Sequence, residues 1–287
     1  VTKSVRIAVV YPDLLGTYGD GGNGLILARR AAWRGLEAEL LQAGSEGVLP
    51  MADIYCLGGG EDGPQVRAAQ ALVSEGTLAR RVAEGAVVLA VCAGYQIVGV
   101  SFPGADASPH EGVGLLDVVT TKGTGPRSVG EVAGAISDEA TVGWPGGLVV
   151  PALSGFENHG GVTTLGPGVA PLARVSRGVG NGDGSGTEGA VAGRVVGTYL
   201  HGPVLARNPV LADVVLAWAL GADGADGAVG SVVGSEAMGW SSAEEGTGAD
   251  EAASELRDER LGGDGSEGAR LGRRRGGGRR RRRAQAG

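Results

Sequence analysis

The chain has 287 residues, 42% of them hydrophobic and 20% charged, and a formal net charge of −7. This length and apolar share allow one sizeable α/β core plus an extension, and the acidic balance argues against a nucleic-acid footprint over the folded part. Two cysteines, Cys56 and Cys92, make neither a disulfide framework nor a four-ligand zinc site; with no secretory pattern at the start, they read as reduced thiols in a cytoplasm.

In chain order, VRIAVVY at 5–11 reads as a buried strand rich in β-branched residues. The loop PDLLGTYGDGGN follows, and 23–34 has helical composition with an Asn at its entry. A short second strand is expected at 37–41. ADIYCLGGG, ending at Gly60, is a further strand closed by three glycines, and 64–84 reads as helical with a break at Gly76. AVVLAV at 86–91 is a continuous apolar run, as in a parallel strand covered on both faces. Residues 86–102 are nearly free of charge, but Gly94, Gln96, Gly99 and Ser101 interrupt a run that would need about 20 apolar residues to span a bilayer. Strand, tight turn and helix explain it better.

This alternation predicts an α/β fold with a doubly wound, mostly parallel sheet flanked by helices. The middle, about 112–200, is richer in strands: GLLDVVTT, LVVPALSGFENH, APLARVS and GRVVGTYLH, with 176–193 as a loop between two of them. Asn208 to Leu220 reads as a closing helix. The expected domain is therefore 1–221. Beyond it, 222–287 is dominated by Gly, Ala, Ser, Asp and Glu and ends RRRGGGRRRRRAQAG, the composition of a solvated, disordered extension. Its Arg cluster is a place where RNA, anionic lipid or an acidic partner could touch.

Chemistry enters at Cys92, which follows a buried strand directly and precedes Ala93, Gly94 and a helical stretch. A strand–nucleophile–helix elbow holds its side chain clear of the sheet, and a helix start favours thiolate over thiol. The N–H of Ala93 can point at a developing oxyanion. Cys56, inside a strand pattern, reads as core. Gly58, Gly59 and Gly60 end a neighbouring strand, so their loop should face Cys92, with Gly59 and Gly60 as further backbone donors. A base must come from His110, His159 or His201. His110 looks like a surface-loop residue, whereas His159 and His201 both sit at strand ends, and position alone does not separate them.

Five separated motifs, YPDLLGTYGDGGN, YCLGGGEDGPQ, AVCAGYQ, GFENHGG and GTYLHGP, occur in order between about residues 5 and 220. Together they resemble class I glutamine amidotransferases of the cobyric-acid-synthase (CobB/CobQ) type, and more narrowly the glutaminase subunits of lipid II isoglutaminyl synthases. The resemblance implies Cys92 as nucleophile, His201 as base and Arg127 as the substrate-contacting arginine; a planar guanidinium fork suits the α-carboxylate of glutamine. Many class I glutaminases carry Glu two residues after the histidine, where this chain has Pro203. A Cys–His dyad is then implied, or an orienting group borrowed from another loop, with Glu157 the first candidate.

The chain has no G-x-x-x-x-G-K-[ST] phosphate loop. ATP and Mg are accordingly expected on a separate subunit, with no metal or cofactor in this chain. The resemblance implies as partner MurT, a Mur-ligase-like ATP-dependent protein in a heterodimer. Fed with ammonia, it amidates the D-glutamate of lipid II during peptidoglycan synthesis and cell-wall biogenesis, at the cytoplasmic side of the membrane. The alternatives are a glutaminase serving a cobyrinate or cobyrate synthetase, and a non-catalytic amidotransferase-like binding protein.

Overall fold

The computed structural model describes residues 3–145, 148–150 and 152–221. The extension read from 222 onward lies outside the described residues. The first half alternates as the sequence predicts: β1 (Ser4–Val10), α1 (Gly22–Trp33), β2 (Glu37–Ala43), β3 (Ile54–Leu57), α2 (Asp62–Glu75), α3 (Thr77–Ala83), β4 (Val87–Val91) and α4 (Ala93–Val98). The expected helical break falls at Gly76, whose φ of 66° is left-handed and ends α2 with its N–H on the Leu72 carbonyl.

The middle builds β5 (Ser101–Pro103), β6 (Pro109–Glu111), β7 (Val118–Lys122), β8 (Ser128–Ile136), β9 (Leu153–His159), β10 (Gly161–Leu165), β11 (Ala173–Arg177) and β12 (Thr187–Glu188). The chain then returns through β13 (Ala190–Ala192), β14 (Val195–Thr198), α5 (Val204–Arg207) and α6 (Pro209–Ala219). The stretch 176–193, expected as a loop, carries β12 and β13, two short strands in a glycine-rich segment.

The main sheet has the order β13-β14-β4-β3-β1-β2 and is parallel except for β13, which pairs antiparallel with β14. β3 and β4 are buried at every residue, as strands covered on both faces must be. Two four-stranded sheets, β10-β7-β5-β6 and β12-β11-β8-β9, fill the insertion between α4 and β13.

The order decides where a site can lie. From β1 the chain crosses through α1 outward to β2, whereas from β3 it crosses through α2 and α3 the other way to β4. With right-handed crossovers, those helices lie on opposite faces of the sheet. The loops leaving β1 and β3 therefore diverge and open a crevice at the carboxyl ends of these two adjacent strands. α1 and α6 share one face, joined by buried ion pairs in which Asp213 accepts from Arg30 Nε at 3.0 Å and Nη2 at 2.8 Å, with Arg34 Nη2 at 2.9 Å.

Candidate active site

Cys92 sits between β4 and α4 with φ 54° and ψ −105°, a backbone conformation rarely adopted by residues other than glycine. Its surroundings impose this turn. The Cys92 N–H donates to the Thr198 carbonyl at 2.8 Å, and the Gly94 N–H donates to the Gly58 carbonyl at 3.0 Å. A Cβ at Gly94 would stand 2.7 Å from Leu57 Cβ, so only glycine lets α4 start this close to β3.

His201 follows β14, and its backbone exchanges hydrogen bonds with Phe156 of β9, which pins it where the main sheet meets an inserted one. Its Nδ1 lies 2.9 Å from Asp20 Oδ2. Asp20 comes from the loop between β1 and α1, on the other side of the crevice. That loop and the glycine loop after β3 are tied together: Thr17 N–H donates to the Gly59 carbonyl at 3.2 Å, and Gly59 N–H donates to Asp20 Oδ2 at 2.9 Å. A Cβ at Gly59 would lie 2.9 Å from His201 Cε1 and 3.7 Å from Cys92 Cβ, so this glycine is the close-packed wall shared by thiol and imidazole.

Among the described residues, His201 Nε2 is buried without a well-formed hydrogen bond and faces the Cys92 sulfur. Burial works against the imidazolium, but Asp20 on one side and Cys92 on the other outweigh it, and the pKa of His201 rises to about 9. Asp20 is thus the orienting carboxylate that Pro203 left unaccounted for. Glu157 serves elsewhere. It accepts from Val179 N–H at 2.9 Å and Gly180 N–H at 3.0 Å, and its Oε2 lies 3.3 Å from His159 Nε2, so it ties β9 to the loop after β11.

The three histidines now separate. His159 has both ring nitrogens engaged, Nδ1 at 2.9 Å from the Gly161 carbonyl, and stacks on Tyr199 at 3.7 Å between centroids. His110 lies in β6 against the Phe102 ring, rather than in a loop. Of the three, His201 presents a nitrogen to Cys92.

One expected backbone donor is corrected by the structure. The Gly59 N–H is taken by Asp20 and is not free to face an oxyanion. Gly60 and Ala93 remain, close enough that a Cβ at Gly60 would lie 3.8 Å from Ala93 Cβ. Ala93 opens a helix, where N–H groups lack intrahelical partners.

A cleft of about 100 Å³ opens over Cys92, bordered by Gly60, Ala93, Gln96, Tyr18, Arg127 and Asn158. Arg127 is exposed and reaches the cleft from just before β8, held by Asn158. The cleft floor is a buried hydrogen-bonded chain: Gln65 Nε2 donates to Gln96 Oε1 at 2.8 Å, Gln96 Nε2 to Tyr199 Oη at 3.1 Å, and the Tyr199 and Thr163 hydroxyls are 2.6 Å apart. Such a floor can read an amide, because it offers donors and acceptors on a fixed frame.

A match to the family model of the CobB/CobQ-like glutamine amidotransferase domain covers residues 6–209. The chain belongs to the CobB/CobQ-like glutamine amidotransferase family. It is 34% identical over 207 residues to the lipid II isoglutaminyl synthase (glutamine-hydrolyzing) subunit GatD of Staphylococcus aureus, covering 71% of this chain and 79% of the relative. The corresponding subunit of Streptococcus pneumoniae is 32% identical, over 72% of this chain and 77% of the relative. The cobyric acid synthase of Sphingopyxis alaskensis is 36% identical, but the match spans 46% of this chain and only 24% of that protein. Among solved structures, a glutamine amidotransferase is similar with a TM-score of 0.50 at 20% identity, over 74% of this chain and 98% of that one. The family fold and the amidotransferase class are those expected from the five motifs. No helix of the described residues is long and apolar enough to cross a membrane.

The site rests on a buried acid outside the cleft. Glu188 accepts from Thr198 Oγ1 at 2.9 Å and Tyr199 N–H at 2.7 Å, fixing the segment that carries His201. Burial pushes its carboxyl up to about 7 from an ordinary 4.5. Between those values the folded chain keeps a proton that the unfolded chain releases, so stability falls as pH rises through this window. His201 has the same sign one window higher: its contribution is complete below 6.5 and is lost as pH passes about 9. Urea midpoints should therefore decline in two steps with rising pH, and Glu188→Gln should remove the lower step only. A variant that keeps both steps would contradict the buried, protonated reading of Glu188.

Proposed function

We propose that the chain is the glutaminase subunit of a lipid II isoglutaminyl synthase, hydrolysing L-glutamine to glutamate and ammonia through a cysteinyl thioester. The observation that carries this reading is Cys92 at a strained elbow, facing a histidine whose far nitrogen is held by Asp20. Cys92 Sγ attacks the side-chain amide carbon of glutamine, and the oxyanion is met by the Gly60 and Ala93 N–H groups. His201 Nε2 gives a proton to the departing nitrogen as the C–N bond breaks, releasing ammonia. A water then adds to the thioester carbonyl carbon while His201 takes its proton, the C–S bond breaks, and glutamate leaves with the thiolate regenerated. Arg127 binds the α-carboxylate of the substrate as a fork.

Ammonia has to be captured by an activated carboxylate. The partner in this reading is a Mur-ligase-like ATP-dependent subunit, MurT, in a heterodimer; it holds ATP and Mg and converts the D-glutamate α-carboxylate of lipid II to the amide. What supports it is the likeness, over most of both chains, to two GatD subunits. Co-expression with such a ligase should give a co-purifying complex that amidates lipid II with L-glutamine as nitrogen source. Failure to pair, together with amidation of a cobyrinate by a different synthetase partner, would replace this acceptor by the corrinoid one.

A further inference from the structure

Tyr18 connects the two ends of the cleft. It stands at φ 66°, in the left-handed region, and is 46% exposed although its ring packs against His201 with centroids 4.7 Å apart. A hydrogen bond holds it there, Asn158 Nδ2 to Tyr18 Oη at 2.8 Å. The same Asn158 holds Arg127: its Oδ1 accepts from Arg127 Nε at 3.1 Å, and its carbonyl accepts from Nη2 at 2.9 Å. The amide orientation is forced, because a guanidinium can only donate and so must meet the oxygen, which leaves the NH2 for the tyrosine. With Nε and one Nη2 hydrogen spent on Asn158, the Nη1/Nη2 edge of Arg127 is the part left to grip a carboxylate in two-pronged fashion.

We propose that Tyr18 is a positioning residue for the carboxylate site: through Asn158 it holds the Arg127 guanidinium in the orientation that grips the substrate carboxylate, while its ring covers His201. This rests on the reading of Arg127 as the glutamine carboxylate site. The Tyr18 hydroxyl takes the amide nitrogen of Asn158 and so fixes the amide plane, and the amide oxygen and backbone carbonyl of Asn158 fix the guanidinium. A ligand lacking the carboxylate gains nothing from this unit, so the site favours an amino acid amide over a plain amide through a grip that Tyr18 keeps in place. Tyr18 and Asn158 are positioning residues in this scheme.

The test compares two reagents for Cys92 on the full-length chain: a chloromethyl ketone analogue of L-glutamine, which carries the carboxylate, and iodoacetamide, which does not. Alkylation is followed on the Cys92 peptide by mass spectrometry, with the ratio of the two rates as readout. Tyr18→Phe should lower that ratio roughly tenfold, the worth of one hydrogen bond. Arg127→Ala should lower it at least as far, and the double variant should be no worse than Arg127→Ala alone. Equal slowing of both reagents by Tyr18→Phe, as a structural role would give, overturns the proposal. So do effects of the two substitutions that multiply. If wild-type Cys92 reacts with iodoacetamide but shows no preference for the glutamine analogue, the glutaminase reading falls, and the positioning role of Tyr18 falls with it.

Discussion

Replacing Asp20 by Asn is expected to lower kcat for glutamine hydrolysis on the order of 10³-fold, with the fold intact. The carboxylate does two things that an amide cannot do together. It accepts from His201 Nδ1 and from Gly59 N–H on the same oxygen, Oδ2, which locks the imidazole to the glycine loop. It also supplies charge that helps hold His201 near pKa 9 rather than 6.5. An imidazolium at neutral pH is ready to protonate the leaving nitrogen, and this capacity disappears as pH rises through the histidine's pKa. In the wild type the alkaline limb of kcat/KM should therefore lie near 9, and in Asp20→Asn it should move toward 6.5. The rate loss and the moved limb belong together: a structural defect would lower the rate at every pH without displacing the profile.

The elements of this site that are local can be read from the sequence. Cys92 is placed by consecutive residues, an apolar strand, the cysteine and then Ala93 and Gly94, which together write the turn that strains it. The same holds for Gly58–Gly60, and for the helical break at Gly76. Asp20 is not legible in that way. It lies 181 residues from His201 in the chain and meets it only because the loops after β1 and β3 diverge at the sheet's switch point. A signal is present in the loop GTYGDGGN, an acid among glycines directly after the first strand, where a short side chain can reach into the crevice. Glu157 is the more conspicuous acid because it neighbours a histidine in sequence, but in β9 its carboxylate turns to His159 and the backbone of 179–180.

The Gly59 reassignment has the same origin. A glycine loop at a strand end announces free N–H groups, but which of them stays free depends on what a distant loop brings. The partition of the strand-rich middle into two sheets is hidden for a related reason. Its strands are mostly two to five residues long, and pairings such as β7 with β10 or β8 with β11 depend on contacts far apart in sequence.

Cys92→Ser should have the larger effect, a loss on the order of 10⁴-fold or more in ammonia release. The serine hydroxyl fits the same space and keeps the elbow, so the comparison isolates the sulfur. A serine hydroxyl is a far weaker acid than a thiol and must give its proton to His201 as it attacks. Sulfur is intrinsically the stronger nucleophile, so the geometry that serves Cys92 leaves the serine nearly inert. The decisive measurement is ammonia release from L-glutamine by the wild-type complex and by Cys92→Ser, with acid-quenched samples searched for a γ-glutamyl group on the Cys92 peptide. The wild type is expected to release ammonia and carry the adduct on Cys92, and the variant to do neither. Undiminished ammonia release from the serine variant would contradict Cys92 as the nucleophile.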